Sequence, residues 1–130
     1  MKKIILMLSL FAAILTFAAV DLWYTTSFYT KTHDNLVVVS ESININQDKL
    51  DNPETVFLTQ KANDEWESGK RRLMMLVNHN VIRLVDEKFV SLLEQVKSDN
   101  YVDAVVTANV LISYVKDLRE ENYPYIRNIL

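Results

Sequence analysis

Seventeen consecutive residues, Ile4 to Val20, carry no charge, and Lys2 and Lys3 stand directly before them. A stretch this apolar belongs in lipid rather than water, and that limits what the rest of the chain can become. As a helix rising about 1.5 Å per residue it spans roughly 25 Å, close to the ~30 Å hydrocarbon layer of a bilayer. Leu22, Trp23 and Tyr24 then carry it to the depth where aromatic rings settle at a membrane surface. The sequence predicts a transmembrane anchor over residues 1–24, with membrane lipid as the partner of residues 4–24.

A cleaved leader would share the basic start but needs a shorter apolar core and a small-residue cleavage site. Thr16-Phe17-Ala18 and Phe17-Ala18-Ala19 are poor versions of that site. The aromatic cluster Trp23, Tyr24, Phe28 and Tyr29 suits an interface better, so a retained anchor is preferred, with secretion after cleavage as the alternative. Lys2 and Lys3 place the N-terminus in the cytoplasm, and the first basic residue after the run is Lys31. The expected localisation is a single-pass membrane protein with its C-terminal domain outside the cytoplasm.

Beyond the anchor about 110 of the 130 residues remain, enough for one small domain with a real core. One Gly and two Pro leave few residues for the turns a sheet requires, which points to long helices with short joints. Cysteine is absent, which excludes disulfides, a thioether lipid anchor, thiolate catalysis and thiolate zinc sites. The net charge of −3 runs against the basic balance of a generic nucleic-acid binder.

The expected fold is all-α: a transmembrane helix followed by a small antiparallel bundle of three to four helices. Residues 25–32 read as a polar and aromatic connector or as a continuation of the anchor helix, and residues 33–130 as the extracytoplasmic domain. Leu36, Val39, Ile43 and Leu50 form a helical stripe over Asp34 to Leu50, although Val37-Val38-Val39 favours strand. Asn52, Pro53 and Glu54 make a helix start, namely a capping amide, Pro at the first helical position and an acid near the positive dipole end. That helix is expected to reach Val77, with Trp66, Leu73, Met74 and Val77 on its late face and Gly69 as a weak spot. Ile82, Val85, Phe89, Leu92 and Val96 then step by three and four along a third helix. Ser98-Asp99-Asn100 closes that helix, and Asn100 with Asp103 caps a fourth, buried along Tyr101, Ala104, Val105, Ala108, Leu111, Ile112, Val115 and Leu118. Ala104 and Ala108 would let a neighbouring helix come close. The third and fourth helices make an antiparallel hairpin. Pro124 stops the fourth helix, and the tail from Tyr123 to Leu130 is unusually apolar for a terminus.

In this order stand Trp66, the junction Val77-Asn78-His79-Asn80-Val81, the helix opening Asp99-Asn100-Tyr101-x-x-Ala104 and the terminal Asn128-Ile129-Leu130. The chain thereby resembles, over nearly its whole length, the small membrane proteins of Firmicutes grouped as domain of unknown function 4363. It departs from them in having Asn78 and Asn80 where acidic residues flank the His, and in lacking a Trp near the start of the second helix. The resemblance implies one retained N-terminal span and an extracytoplasmic helical domain. It implies no activity.

Fragments of catalytic motifs dissolve on inspection. Ser113-Tyr-Val-Lys116 and Ser98-Asp99-Asn100 match two motifs of penicillin-binding enzymes, but in reversed order and without the third. His79 reads as a helix-end cap in preference to a metal ligand or pH-sensitive latch, since His33 is distant and no paired ligand spacing exists. Asp86, Glu87, Glu94, Glu120 and Glu121 read as solvated charges, as does Lys70-Arg71-Arg72 in preference to a contact with anionic lipid or wall polymer. Met74 and Met75 read as core filler. No enzyme activity, cofactor or metal is expected. The sequence favours a protein–protein interaction module or accessory subunit of a membrane or envelope complex, or one that self-associates, with no nucleic acid as partner. Its candidate contact residues are Trp66, His79, Tyr125, Ile129 and Leu130. A bundle that senses a ligand or ion near His79 through a membrane partner is the rival.

Overall fold

A computed structural model describes residues 1–73 and 79–122, with the side chains of residues 121 and 122 left undescribed. Among these residues lie four helices and no strand: α1 Lys2–Ile45, α2 Pro53–Leu73, α3 His79–Lys97 and α4 Tyr101–Asn122. The all-α expectation is met. Met74, Val77 and the tail residues lie outside the described part, as does the end expected for α2.

The heptad pattern explains the packing. The buried side chains of α1 are Thr25, Tyr29, Thr32, Leu36, Val39 and Ile43, alternating steps of four and three, with Ser42 beside them. In α2 the same rhythm runs through Thr55, Thr59, Ala62, Trp66, Gly69 and Leu73. The α3 seam is Ile82, Val85, Phe89, Leu92 and Val96, as the sequence predicts. In α4, Ala104, Ala108, Leu111, Val115 and Leu118 are buried with Thr107, while Tyr101, Val105 and Ile112 are only partly covered. Seams of this period keep facing one another along nearly parallel axes, which is the geometry of a four-helix bundle. Each helix packs on its two neighbours in the cycle α1, α2, α3, α4, and α4 makes its broadest contact with α1.

Residues 25–32 are helix: of the two readings of that stretch the continuation of the N-terminal helix holds, and α1 runs unbroken through it. One boundary differs from the expectation. The stripe expected to Leu50 ends as helix at Ile45, where the Asn46 amide donates to the Ser42 carbonyl. Leu50 is still fully buried, but it enters the core from the joint. Its backbone N–H donates to Asp99 Oδ1 at 2.7 Å, so the α1–α2 joint is tied to the α3–α4 joint. Asp99 has a φ of 55°, and the Asp99 and Asn100 amides donate to the Val96 and Gln95 carbonyls. This is a left-handed helix end of the kind glycine usually supplies. The two N-caps fall as expected: Asn52 Oδ1 accepts from Thr55 N–H at 2.9 Å, and Asn100 Oδ1 from Asp103 N–H at 3.3 Å.

Partners along α1 and α2 fix the antiparallel register: Ser42 with Thr55, Asn35 with Glu65, Phe28 with Trp66, and Tyr24 with Arg72. The bundle thus has a base near Tyr24, Leu73 and His79 and a far end at the two tied joints. Residues 2–20 of α1 project past that base, exposed throughout.

Gly69 is no weak spot. A Cβ there would overlap the ring of Phe28, so glycine is what lets this ring lie against the α2 backbone. Gly69→Ala gains up to about 1 kcal/mol of helix propensity but forces an overpacked contact costing about 1–3 kcal/mol. The expected result is a lower Tm with altered near-UV circular dichroism as the ring leaves Trp66. At Asp99, replacement by Ala removes an acceptor while keeping the left-handed φ, for a loss of about 1–2 kcal/mol in chemical denaturation. Asp99→Asn keeps an acceptor and should stay near wild type.

Candidate functional site

About one to two turns above the base, aromatic and polar residues converge on Trp66. Its ring is 0% exposed, stacked between Phe28 (centroids 5.5 Å apart) and Phe89 (6.0 Å). The three rings come from α1, α2 and α3: Trp66 and Phe89 are seam residues, while Phe28 is partly buried beside the seam residue Tyr29. An indole buried in this way needs an acceptor for its N–H. Asp86 supplies it from α3, with Trp66 Nε1 donating to Asp86 Oδ1 at 2.6 Å. The second carboxylate oxygen of Asp86 accepts from Lys70 Nζ at 3.0 Å, and Lys70 also pairs with Glu67 at 2.8 Å.

Burial acts to lower the Lys70 pKa, but hydrogen bonds to Glu67 and Asp86 and the charges of those carboxylates outweigh it, leaving it above the usual 10.5. The ammonium therefore stays charged at neutral pH. Chemically, the cluster is a charge-assisted clasp between α2 and α3 over an aromatic stack.

The candidate contact residues do not gather. Trp66 is a core residue, and the expectation that it offers a contact surface is corrected: its ring is enclosed on both faces and its N–H is taken. His79 is the exposed first residue of α3, at the base. Tyr125, Ile129 and Leu130 lie outside the described residues. Among the described residues no group of three His, Asp or Glu side chains is placed to hold a metal ion. Ser98, Asp99 and Asn100 serve the helix joint, while Ser113 is exposed on α4.

The sequence reading left Asp86 and Lys70 among solvated charges, and both are instead half-buried. The signal lay in their spacing. Asp86 directly follows the seam residue Val85, and Lys70 directly follows the seam position Gly69, so both flank the interface between neighbouring helices.

A groove of about 450 Å³ opens between α1 and α2 near the base, lined among others by Trp23, Tyr24, Phe28, Lys31 and Gly69. The Arg72 guanidinium stands 4.7 Å from the centre of the Tyr24 ring beside it. One helix among the described residues, Lys2–Ile45, is long and apolar enough to cross a membrane by length and composition. No protein family, curated protein or solved structure matches the chain.

Removing the shared acceptor tests the clasp. Asp86→Ala leaves both the Trp66 indole and the Lys70 ammonium short of a partner and should cost about 2–4 kcal/mol in urea unfolding. Asp86→Asn keeps an acceptor for the indole and should cost less. Since the folded state holds the Lys70 proton more tightly, this stabilisation is complete below pH 10.5 and lost as pH rises through the folded-state pKa. Wild type should lose more stability than Lys70→Met across that alkaline window.

Proposed function

We propose that the chain is a membrane-anchored helical module held outside the cytoplasm, which binds another membrane or envelope protein as an interaction or accessory subunit. The observation that carries this reading is the single helix α1, whose apolar half stands free while its other half is one of four bundle staves. A domain welded in this way to its anchor stays within a fixed reach of the membrane, where a neighbouring membrane protein is the nearest partner. Lys2 and Lys3, before the apolar run, support a cytoplasmic N-terminus. The resemblance to domain of unknown function 4363, carried by Trp66, His79, Asp99-Asn100-Tyr101 and the terminal Asn128-Ile129-Leu130, agrees with this assignment.

Surface chemistry supports protein contact. With the core filled, α1 and α4 still expose Val38, Ile45, Val102 and Val106, and Ile45 is 80% exposed. Tyr101 of α4 reaches Asn44 of α1 at 3.5 Å, so Ile45 and Val102 lie at the same end. Apolar side chains there lower their free energy when a partner covers them.

A photoreactive residue at Ile45 or Val102 in intact cells should yield a covalent adduct with a membrane-fraction protein or a second copy. The same probe at Asp64, on the outer face of α2, should not. A reporter fused after Leu130 should be active only outside the cytoplasm. Reporter activity inside overturns the topology, and equal crosslinking at all three positions overturns the contact surface.

A further inference from the structure

At the base of the bundle, at a height set by α1, two adjacent arginines on α2 have no ion-pair partner among the described residues. Lys70 is consumed by Glu67 and Asp86, but Arg71 and Arg72 pair with no carboxylate among the described residues. Both are exposed in the last described turn of α2, and Arg72 lies over the Tyr24 ring at 4.7 Å. Tyr24 follows Val20, the last residue of the uncharged run, by one helical turn, or about 6 Å. The headgroup layer on each side of a ~30 Å hydrocarbon core is about 5–8 Å thick. If residues 4–20 fill that core, Tyr24 and the guanidinium on it stand among the headgroups. Trp23, 70% exposed on the same turn, is an interfacial residue by type and position. Lys31, about 16 Å past Val20, is too high to join them.

The nearby carboxylates are otherwise placed. Glu67 and Asp86 hold Lys70. Asp21 lies about one turn below Tyr24 on α1, and Asp117 and Glu120 belong to α4, which does not pack against α2. Arg71 and Arg72 therefore keep their charges for a ligand. Arginine presents a planar fork that matches phosphate oxygens, and a ring beneath it fixes the fork in place. We propose that Arg71 and Arg72, seated on Tyr24 beside Trp23, bind the phosphate of an anionic phospholipid in the leaflet facing the bundle. This pins the α2 corner of the base to the membrane. The inference rests on the membrane reading given above and adds a lipid preference to it.

The test uses the full chain reconstituted into vesicles of phosphatidylcholine alone or mixed with phosphatidylglycerol. Flotation reports insertion, and native mass spectrometry of the extracted protein reports which lipid stays bound. Wild type should float with both vesicles and retain phosphatidylglycerol over phosphatidylcholine. Each of Arg71→Gln and Arg72→Gln should cut that preference about fivefold, as a charge worth about 1 kcal/mol at an anionic surface dictates. Tyr24→Leu should weaken it through loss of the platform for Arg72. Lys49→Gln and Lys97→Gln, at the far end, should leave it unchanged. Circular dichroism confirms that each variant remains helical. A wild type that floats but shows no preference, or a double arginine variant that keeps the full preference, overturns the lipid site alone. Failure to float with either vesicle overturns the membrane span and the lipid site with it.

Discussion

The backbone hydrogen-bond ladder of α1 runs without interruption from Lys2 to Ile45, through the residues where lipid-type sequence gives way to bundle-type sequence. A helix broken there would leave several amides and carbonyls without intrahelical partners, and no Gly or Pro lies in that stretch to favour a break. The consequences are spatial. The first stave fixes the depth of Tyr24 and Phe28, α2 aligns against it in antiparallel register, and Arg72 and Trp66 take their heights from those two rings. The antiparallel return of α4 brings Asn122 back to the same base.

Aromatic packing and ionic pairing are joined at one place in this bundle. The Phe28 ring needs the bare backbone at Gly69; Trp66 stacks on Phe28 and Phe89; Asp86 satisfies the indole and holds Lys70. A stack of three rings from three helices resists sliding, since a shift by one residue would expose a ring and unpair a buried N–H. At the opposite end the Asp99–Leu50 hydrogen bond performs a similar task with far less buried surface. The bundle is thus registered at both ends by polar contacts, with Ser42–Thr55 and Asn35–Glu65 aligning α1 and α2 between them.

Much of the fold was legible because its signals are local. The α3 seam, the Asn52-Pro53 start and the Asn100 cap depend on neighbours in sequence, and each falls where spacing put it. The join of the apolar run to the bundle was harder to see. Its seam positions are Thr25, Tyr29 and Thr32, which resemble a loop in composition though they keep the heptad rhythm, and a buried Thr such as Thr32 meets its need by bonding back to the Phe28 carbonyl. Leu50 shows the converse case, an apolar residue in phase with a helix that has already ended. The site was least legible. Asp86 and Lys70 acquire their meaning from each other, sixteen positions apart, and the value of Gly69 depends on a ring forty-one residues upstream.

An uninterrupted helix transmits azimuth as well as height. With about 100° of turn per residue, the count of residues between the apolar run and the first seam position sets the bearing of the bundle about the axis of that run. One residue added between Val20 and Thr25 would swing α2 and its arginines through more than a quarter turn about the α1 axis while raising the bundle by only about 1.5 Å. Length in this stretch therefore acts as a compass setting, fixing the bearing of the bundle relative to the apolar run.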